Sequence, residues 1–206
     1  SDTVLAFCEA RRYTGRDDDV IDILLRRSFD GGRTWDRRQT VISDGDRTCG
    51  NPCPVVDRET GTIFLLMTHN LGSDKEPQII DLTSQESRTV WIARSDDDGR
   101  TWSTPENVTA TTKEPNWTWY ATGPGAGIQL SSGRLLVPCD HIESLTNHYY
   151  SHVIYSDDHG RTWQLGGSTP IHQVNECEAV ELDDGTILLN MRNYDRTQRS
   201  RAVAYS

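Results

Sequence analysis

Apolar residues in this chain come in short runs broken by turn-forming residues, and no stretch keeps a 3.6-residue apolar period. Val4 to Cys8, Ile21 to Arg27, Gln39 to Ile42, Ile63 to Thr68 and Val90 to Ala93 read as strands, as do Leu135 to Pro138, Val153 to Tyr155, Glu178 to Leu182 and Ile187 to Met191. Between them, Glu59-Thr60-Gly61-Thr62, Ser131-Ser132-Gly133-Arg134 and Asp183-Asp184-Gly185-Thr186 have the composition of tight turns. Pro52 and Pro54 predict that 47–57 enters an edge strand, because proline cannot donate to a ladder. Residues 69–87 read as a long polar loop, and 105–113 as loop with a short strand. The expected architecture is all-β, built from repeated antiparallel sheets.

Three of the strands end in one octapeptide. Ser28-Phe29-Asp30-Gly31-Gly32-Arg33-Thr34-Trp35, Ser95-Asp96-Asp97-Asp98-Gly99-Arg100-Thr101-Trp102 and Ser156-Asp157-Asp158-His159-Gly160-Arg161-Thr162-Trp163 share Ser-x-Asp-x-Gly-Arg-Thr-Trp. Within such a turn the aspartate bonds backbone amides, the glycine supplies a positive φ and the tryptophan buries a large ring. The copies begin 67 and 61 residues apart, room for a four-stranded sheet with generous loops, so one supersecondary unit is used several times.

The octapeptide resembles the Asp-box of sialidase-type β-propellers. The resemblance implies a partial six-bladed propeller with about three to four blades present, its boxes at 28–35, 95–102 and 156–163. The box itself is structural and says little about chemistry. Arg201-Ala202-Val203-Ala204-Tyr205-Ser206 resembles a strand running into a further box, so 1–206 is read as one catalytic propeller truncated at both ends.

A net charge of −10 argues against nucleic acid or an anionic membrane as the main partner. It also means that an anionic substrate would have to be drawn in by a local arginine cluster. Cys8, Cys49, Cys53, Cys139 and Cys177 lack paired metal-ligand spacing and are odd in number, so most are expected to be small core residues, with no metal and no cofactor. No apolar run approaches the length of a membrane span.

Further stretches sharpen the resemblance to the bacterial-type exo-α-sialidases. They are Phe7-Cys8-Glu9-Ala10-Arg11-Arg12 with the downstream Asp17, Asn51-Pro52-Cys53-Pro54, Trp119 to Leu130, Val137 to His141, and Asn175-Glu176-Cys177-Glu178 leading to Asn190-Met191-Arg192. Carried over residue by residue, Asp17 takes the place of the general acid/base. Glu176 takes that of the glutamate that deprotonates a nucleophile, and Arg192 that of one arginine gripping the substrate carboxylate. Arg11 resembles an arginine lining the sugar, while Asn51, Trp119, Tyr120, Asp140 and His141 are expected to line the pocket. By the same match the nucleophilic tyrosine and two further arginines fall outside 1–206, and neither Tyr194 nor Tyr205 stands in the tyrosine's motif. The 206 residues alone are therefore expected to be inactive.

The residue types suit the chemistry the resemblance implies. Sialic acid bears an ionised carboxylate on its anomeric carbon, which a planar, permanently charged guanidinium grips in two places. That group would repel a carboxylate nucleophile, and sialidases, with their tyrosine nucleophile, are an exception to the two-carboxylate rule for glycosidases. An aspartic acid must still protonate the leaving oxygen and then activate water. The resemblance thus implies a metal-independent, retaining exo-α-sialidase. It would act on sialylated glycoproteins, glycolipids or oligosaccharides, outside the cell or in the periplasm, as a monomer when complete. The rival expectations are an Asp-box propeller that binds glycans without cleaving them, and one that cleaves a neutral glycan.

Overall fold

The computed structural model describes residues 2–206. The first sheet holds β1 (Val4–Arg11), β2 (Ile21–Ser28) and β3 (Gln39–Ile42), and the second β4 (Arg47–Val56), β5 (Ile63–Leu71), β6 (Thr89–Ser95) and β7 (Glu106–Asn107). One parallel contact, Ile21 with Thr48, joins those two, and every other pairing is antiparallel. The third sheet holds β8 (Trp117–Thr122), β9 (Ile128–Gln129), β10 (Leu135–Glu143), β11 (Tyr149–Ser156) and β12 (Gln164–Ser168). The fourth holds β13 (Val174–Glu181), β14 (Ile187–Asn193) and β15 (Ala202–Tyr205). Strand after strand falls where the apolar runs predict it.

Three departures have physical reasons. Residues 47–56 form a full strand, paired along its length with β5 on one side and touching β2 at a single position on the other, and Pro52 is accommodated where the register slips between Gly50 and Cys53. A bulge is one of the few places in a sheet that tolerates proline. The stretch 69–87 carries the end of β5 and a short helix, α1 (Glu76–Ile80), whose Ile79 is buried against Trp119 and Ile142. A second short helix, α2 (Thr109–Thr112), follows β7. No helix among the described residues is long and apolar enough to cross a membrane.

The sheets stack face to face, and each junction has its own core. Ile23 and Ile42 meet Cys49, Leu65, Met67 and Ala93 between the first and second sheets. Val55, Phe64, Leu66 and Ile92 meet Leu135, Val137, Cys139, Ile154 and Trp163 between the second and third. Leu130 and Leu136 meet Val174, Cys177, Leu189 and Met191 between the third and fourth. Four of the five cysteines are buried and all are free thiols, so they serve as small apolar packing residues, with Cys8 exposed.

The three octapeptides occupy the same turn, after β2, β6 and β11. In each, the first serine accepts the amide of the box glycine at 2.8–2.9 Å and donates to the aspartate at 2.8–2.9 Å. The aspartate then accepts both the amide and the hydroxyl of the threonine four residues on, at 2.6–2.9 Å. The Thr34 and Thr101 hydroxyls and amides hold the Asp30 and Asp97 carboxyls down to about 2.

The boxes also fasten neighbouring sheets. The Trp102 ring packs edge-on against Phe7 of the first sheet at 5.8 Å, and Trp163 against Phe64 of the second at 5.9 Å. At Gly160, where φ is +74°, a Cβ would lie 2.2 Å from the Phe64 ring, so only glycine lets the third box close on the second sheet.

Candidate active site

At the end of β1 the chain turns through Arg12 to Val20, and its three aspartates part company. Asp19 is buried and accepts the Val20 amide at 2.7 Å and those of Tyr13 and Thr14. Asp18 is also buried, bonded to the Glu76 amide at 3.1 Å and to Arg16. Asp17, with 62% of its side chain exposed, is left to face outward and pairs with Arg11 at 2.5 Å. Asp19 is spent on the loop and Asp18 on tying the loop to Glu76, and Asp17 is available for chemistry.

From Asp17 a chain of polar contacts runs inward. Arg11 donates to Glu9 Oε2 from Nε at 3.0 Å and from Nη2 at 2.9 Å, and to the Gly15 carbonyl. Glu9 Oε1 accepts the Asn51 amide at 2.7 Å. Asn51 lies in the β4 bulge with φ +52°, a conformation that asparagine tolerates better than most residues. Its Oδ1 accepts Arg88 Nη2 at 2.6 Å and the Thr68 hydroxyl at 3.0 Å.

These residues line one wall of a cleft of about 720 Å³, whose other lining residues include Trp119, Ala121, Pro124, Asp140, Asn175 and Glu176. A second bulge, between Val174 and Cys177, carries Asn175 and Glu176 and turns them toward this space. Glu176 Oε2 accepts Arg192 Nη1 at 2.9 Å, and the Arg192 guanidinium lies 4.7 Å over the Tyr194 ring. The hydrogen bond to Glu176 raises Arg192 above its ordinary pKa. Both partners are close to half exposed, so an incoming anion can reach the guanidinium.

Asp140 is a carboxyl of a different kind. It is 2% exposed, its Oδ2 has no hydrogen-bond partner, and burial followed by the nearby Glu176 charge pushes it well above the carboxylate range. It stands in the cleft wall as a carboxyl whose charged form is disfavoured. Asn175 Oδ1 beside Glu176 is likewise buried and unpartnered.

The structure thus brings Arg11, Asp17, Asn51, Trp119, Asp140 and Glu176 into one cleft with Arg192 against Glu176, and it places Tyr120 and His141 elsewhere. Tyr120 and His141 are paired across β8 and β10 and share the face opposite Trp119 and Asp140. There the Tyr120 hydroxyl donates to the Thr112 carbonyl at 3.2 Å and meets His152 Nε2 at 3.0 Å, while His141 stacks on Trp117 at 3.4 Å. Burial drives the His141 pKa down to about 3, so it is a neutral core residue. Sequence reasoning also assigns no role to Arg88 or to Asn175. Arg88 opens an apolar strand directly after a polar loop, and a charge in that place is the one signal it leaves.

A family model for the BNR repeat-like domain matches residues 2–206. A sialidase of Bacteroides fragilis is 32% identical over 89% of this chain and 35% of its own length. One from Paraclostridium sordellii is 32% identical over 98% of this chain and 52% of its own. The chain therefore spans between about a third and a half of the length of these curated relatives. Among solved structures, the Hadza microbial sialidase Hz136 superposes on the whole chain with a TM-score of 0.89 at 29% identity, covering 42% of that protein. With its repeated boxes, its stacked antiparallel sheets and this match along its length, the chain belongs to the BNR-repeat family of sialidase β-propellers.

Proposed function

We propose that this chain carries the acid/base half and part of the carboxylate grip of a retaining exo-α-sialidase. The observation that carries the reading is one cleft lined by both Asp17 and Glu176, with Arg192 2.9 Å from the glutamate. Asp17 protonates the leaving glycosidic oxygen and later takes a proton from the attacking water. Glu176 accepts the proton of a tyrosine nucleophile, which is thereby made reactive beside an anionic sugar. Arg192 exchanges part of its hold on Glu176 for the substrate carboxylate, which frees the glutamate as a base. Arg11, tied to Glu9 and Asp17, keeps the acid in place.

Substrates are terminal sialosides of glycoproteins, glycolipids or oligosaccharides, which argues for work outside the cell or in the periplasm. The catalytic unit is a monomeric propeller, of which these residues supply about four of six blades. Holding a glycan without cleaving it would need the arginine but neither carboxylate, and a neutral glycan would need no arginine.

The test compares residues 1–206 alone, and the same residues extended by their flanking coding sequence, against a fluorogenic α-sialoside and a fluorogenic neutral glycoside. Turnover of the sialoside alone is expected, and only from the extended protein. Arg192→Ala should raise its KM about 10- to 100-fold, the worth of a charged hydrogen-bonded contact. An undiminished rate on the neutral glycoside would overturn the reading.

A further inference from the structure

Beneath the cleft lies a cation that the proposed chemistry does not use. Arg88 is 1% exposed and among the largest fully buried side chains. Its guanidinium donates from Nε to the Tyr120 carbonyl at 2.8 Å, from Nη1 to Asn70 Oδ1 at 3.1 Å, and from Nη2 to Thr68 Oγ1 at 2.8 Å and Asn51 Oδ1 at 2.6 Å. All are neutral groups, and among the described residues Arg88 forms no ion pair. Its carbon centre lies 3.8 Å from the face of Trp119. Burial lowers its pKa to about 10, so at neutral pH it is still charged.

Glu9, Glu76, Asp17 and Asp140 lie near enough to favour its charge without touching it, and a buried cation held in this way is a poor device for stability, since well-packed apolar residues often serve a core better. What Arg88 does accomplish is geometric. An asparagine amide can sit either way round, and here two donors, Arg88 Nη2 and the Thr68 hydroxyl, fix Oδ1 on the inner side. The NH2 group is thereby turned to the other side, where Asn51 lines the cleft, and no acceptor among the described residues takes its hydrogens. The same guanidinium backs the Trp119 indole, which lines the cleft from the third sheet. One buried side chain therefore sets two lining residues from two different sheets. Gly50 packs beside it, and a Cβ there would crowd Glu9 Oε1 at 3.1 Å while meeting Arg88 Nη2 at an ordinary 3.5 Å.

We propose that Arg88 is a positioning residue of the cleft, which presents the Asn51 amide hydrogens to the substrate and holds Trp119 as its wall. The inference rests on the sialidase reading for the identity of the ligand, but its geometric half does not depend on it.

The experiment uses the chain with its flanking sequence, as parent, R88K and N51D. It records the Trp119 indole and Asn51 side-chain amide resonances, and measures affinity for the 2,3-unsaturated analogue of sialic acid by calorimetry. R88K keeps the charge but cannot reach four acceptors at once, so both resonances should move and affinity should fall about tenfold or more. N51D gives Arg88 a carboxylate partner and should melt no lower than the parent. It removes the NH2 donor, however, and should lose at least as much affinity. Unmoved resonances in R88K, or N51D binding within twofold of the parent, would overturn the proposal. If R88K does not fold, N51D decides. A parent that ignores the analogue would sink the sialidase reading, while the resonances still judge the positioning role.

Discussion

The two ends of the strands are built on opposite plans. At the box end, each turn satisfies its aspartate from residues two and four positions away, and the same set of bonds recurs after β2, β6 and β11. At the cleft end nothing repeats. Glu9 reaches Asn51 across 42 positions, Arg88 reaches Tyr120 across 32, and Glu176 meets Arg192 across 16. Local closure lets one motif be copied from sheet to sheet. A site assembled between sheets needs a different residue from each. The difference also divides the work, because box residues are consumed by the turns and by packing on the preceding sheet, whereas the cleft keeps Asp17 and Glu176 within reach of solvent.

The largest expected effect separates catalysis from folding. Asp17→Asn should lower turnover of a natural sialyl-oligosaccharide by about 10²- to 10⁴-fold in the extended protein, the usual worth of a general acid. The melting temperature should stay put, since the side chain is mostly exposed. A parallel loss of stability would erase the distinction between the two ends.

Next comes a contrast among the boxes themselves. Trp163 is 3% exposed and packed on Phe64, so Trp163→Ala should cost about 3–5 kcal/mol in urea unfolding. Trp35 is only half-buried and stacks on no other ring among the described residues, so Trp35→Ala should cost about 1 kcal/mol. Equal losses would show that the boxes stabilise by closing turns and not by joining sheets.

The smallest effect is a difference of sign between two aspartates. Asp97 is held down to about 2 by Thr101, so its stabilisation is present above the unfolded value near 3.8 and is lost as pH falls through about 2. Asp97→Asn should melt lower than the parent at pH 7, with the deficit closing in acid. Asp140 is pushed the other way by burial, so the parent loses stability as pH rises above the unfolded carboxyl value. Asp140→Asn should match the parent near pH 3 and melt higher at pH 8. Melting curves at the three pH values check both, and a common sign would break the contrast.

Much was legible from the chain alone. The strands follow from short apolar runs, the turns from Gly-bearing tetrads, and the equivalence of the three boxes from six shared positions, because each depends on residues close together in sequence. The motifs around Asp17, Glu176 and Arg192 could be placed by resemblance. What the chain could not reveal was which face of β8 meets the cleft, because every residue from Trp117 to Thr122 is buried, the hydroxyl-bearing Thr118, Tyr120 and Thr122 as fully as the residues between them. For that reason Tyr120 and His141 were expected in the pocket with Trp119 and Asp140, and only the sheet shows which pair faces it. Nor does sequence say that burial disfavours the charged form of Asp140, that Asp18 and Asp19 are tied up by α1 and their own loop, or that Arg88 sets the Asn51 amide. Each of those depends on which groups other strands bring within a few ångströms, and on how much water they exclude. Desolvation and hydrogen-bond direction are properties of the packed neighbourhood, and they arise only when the sheets come together.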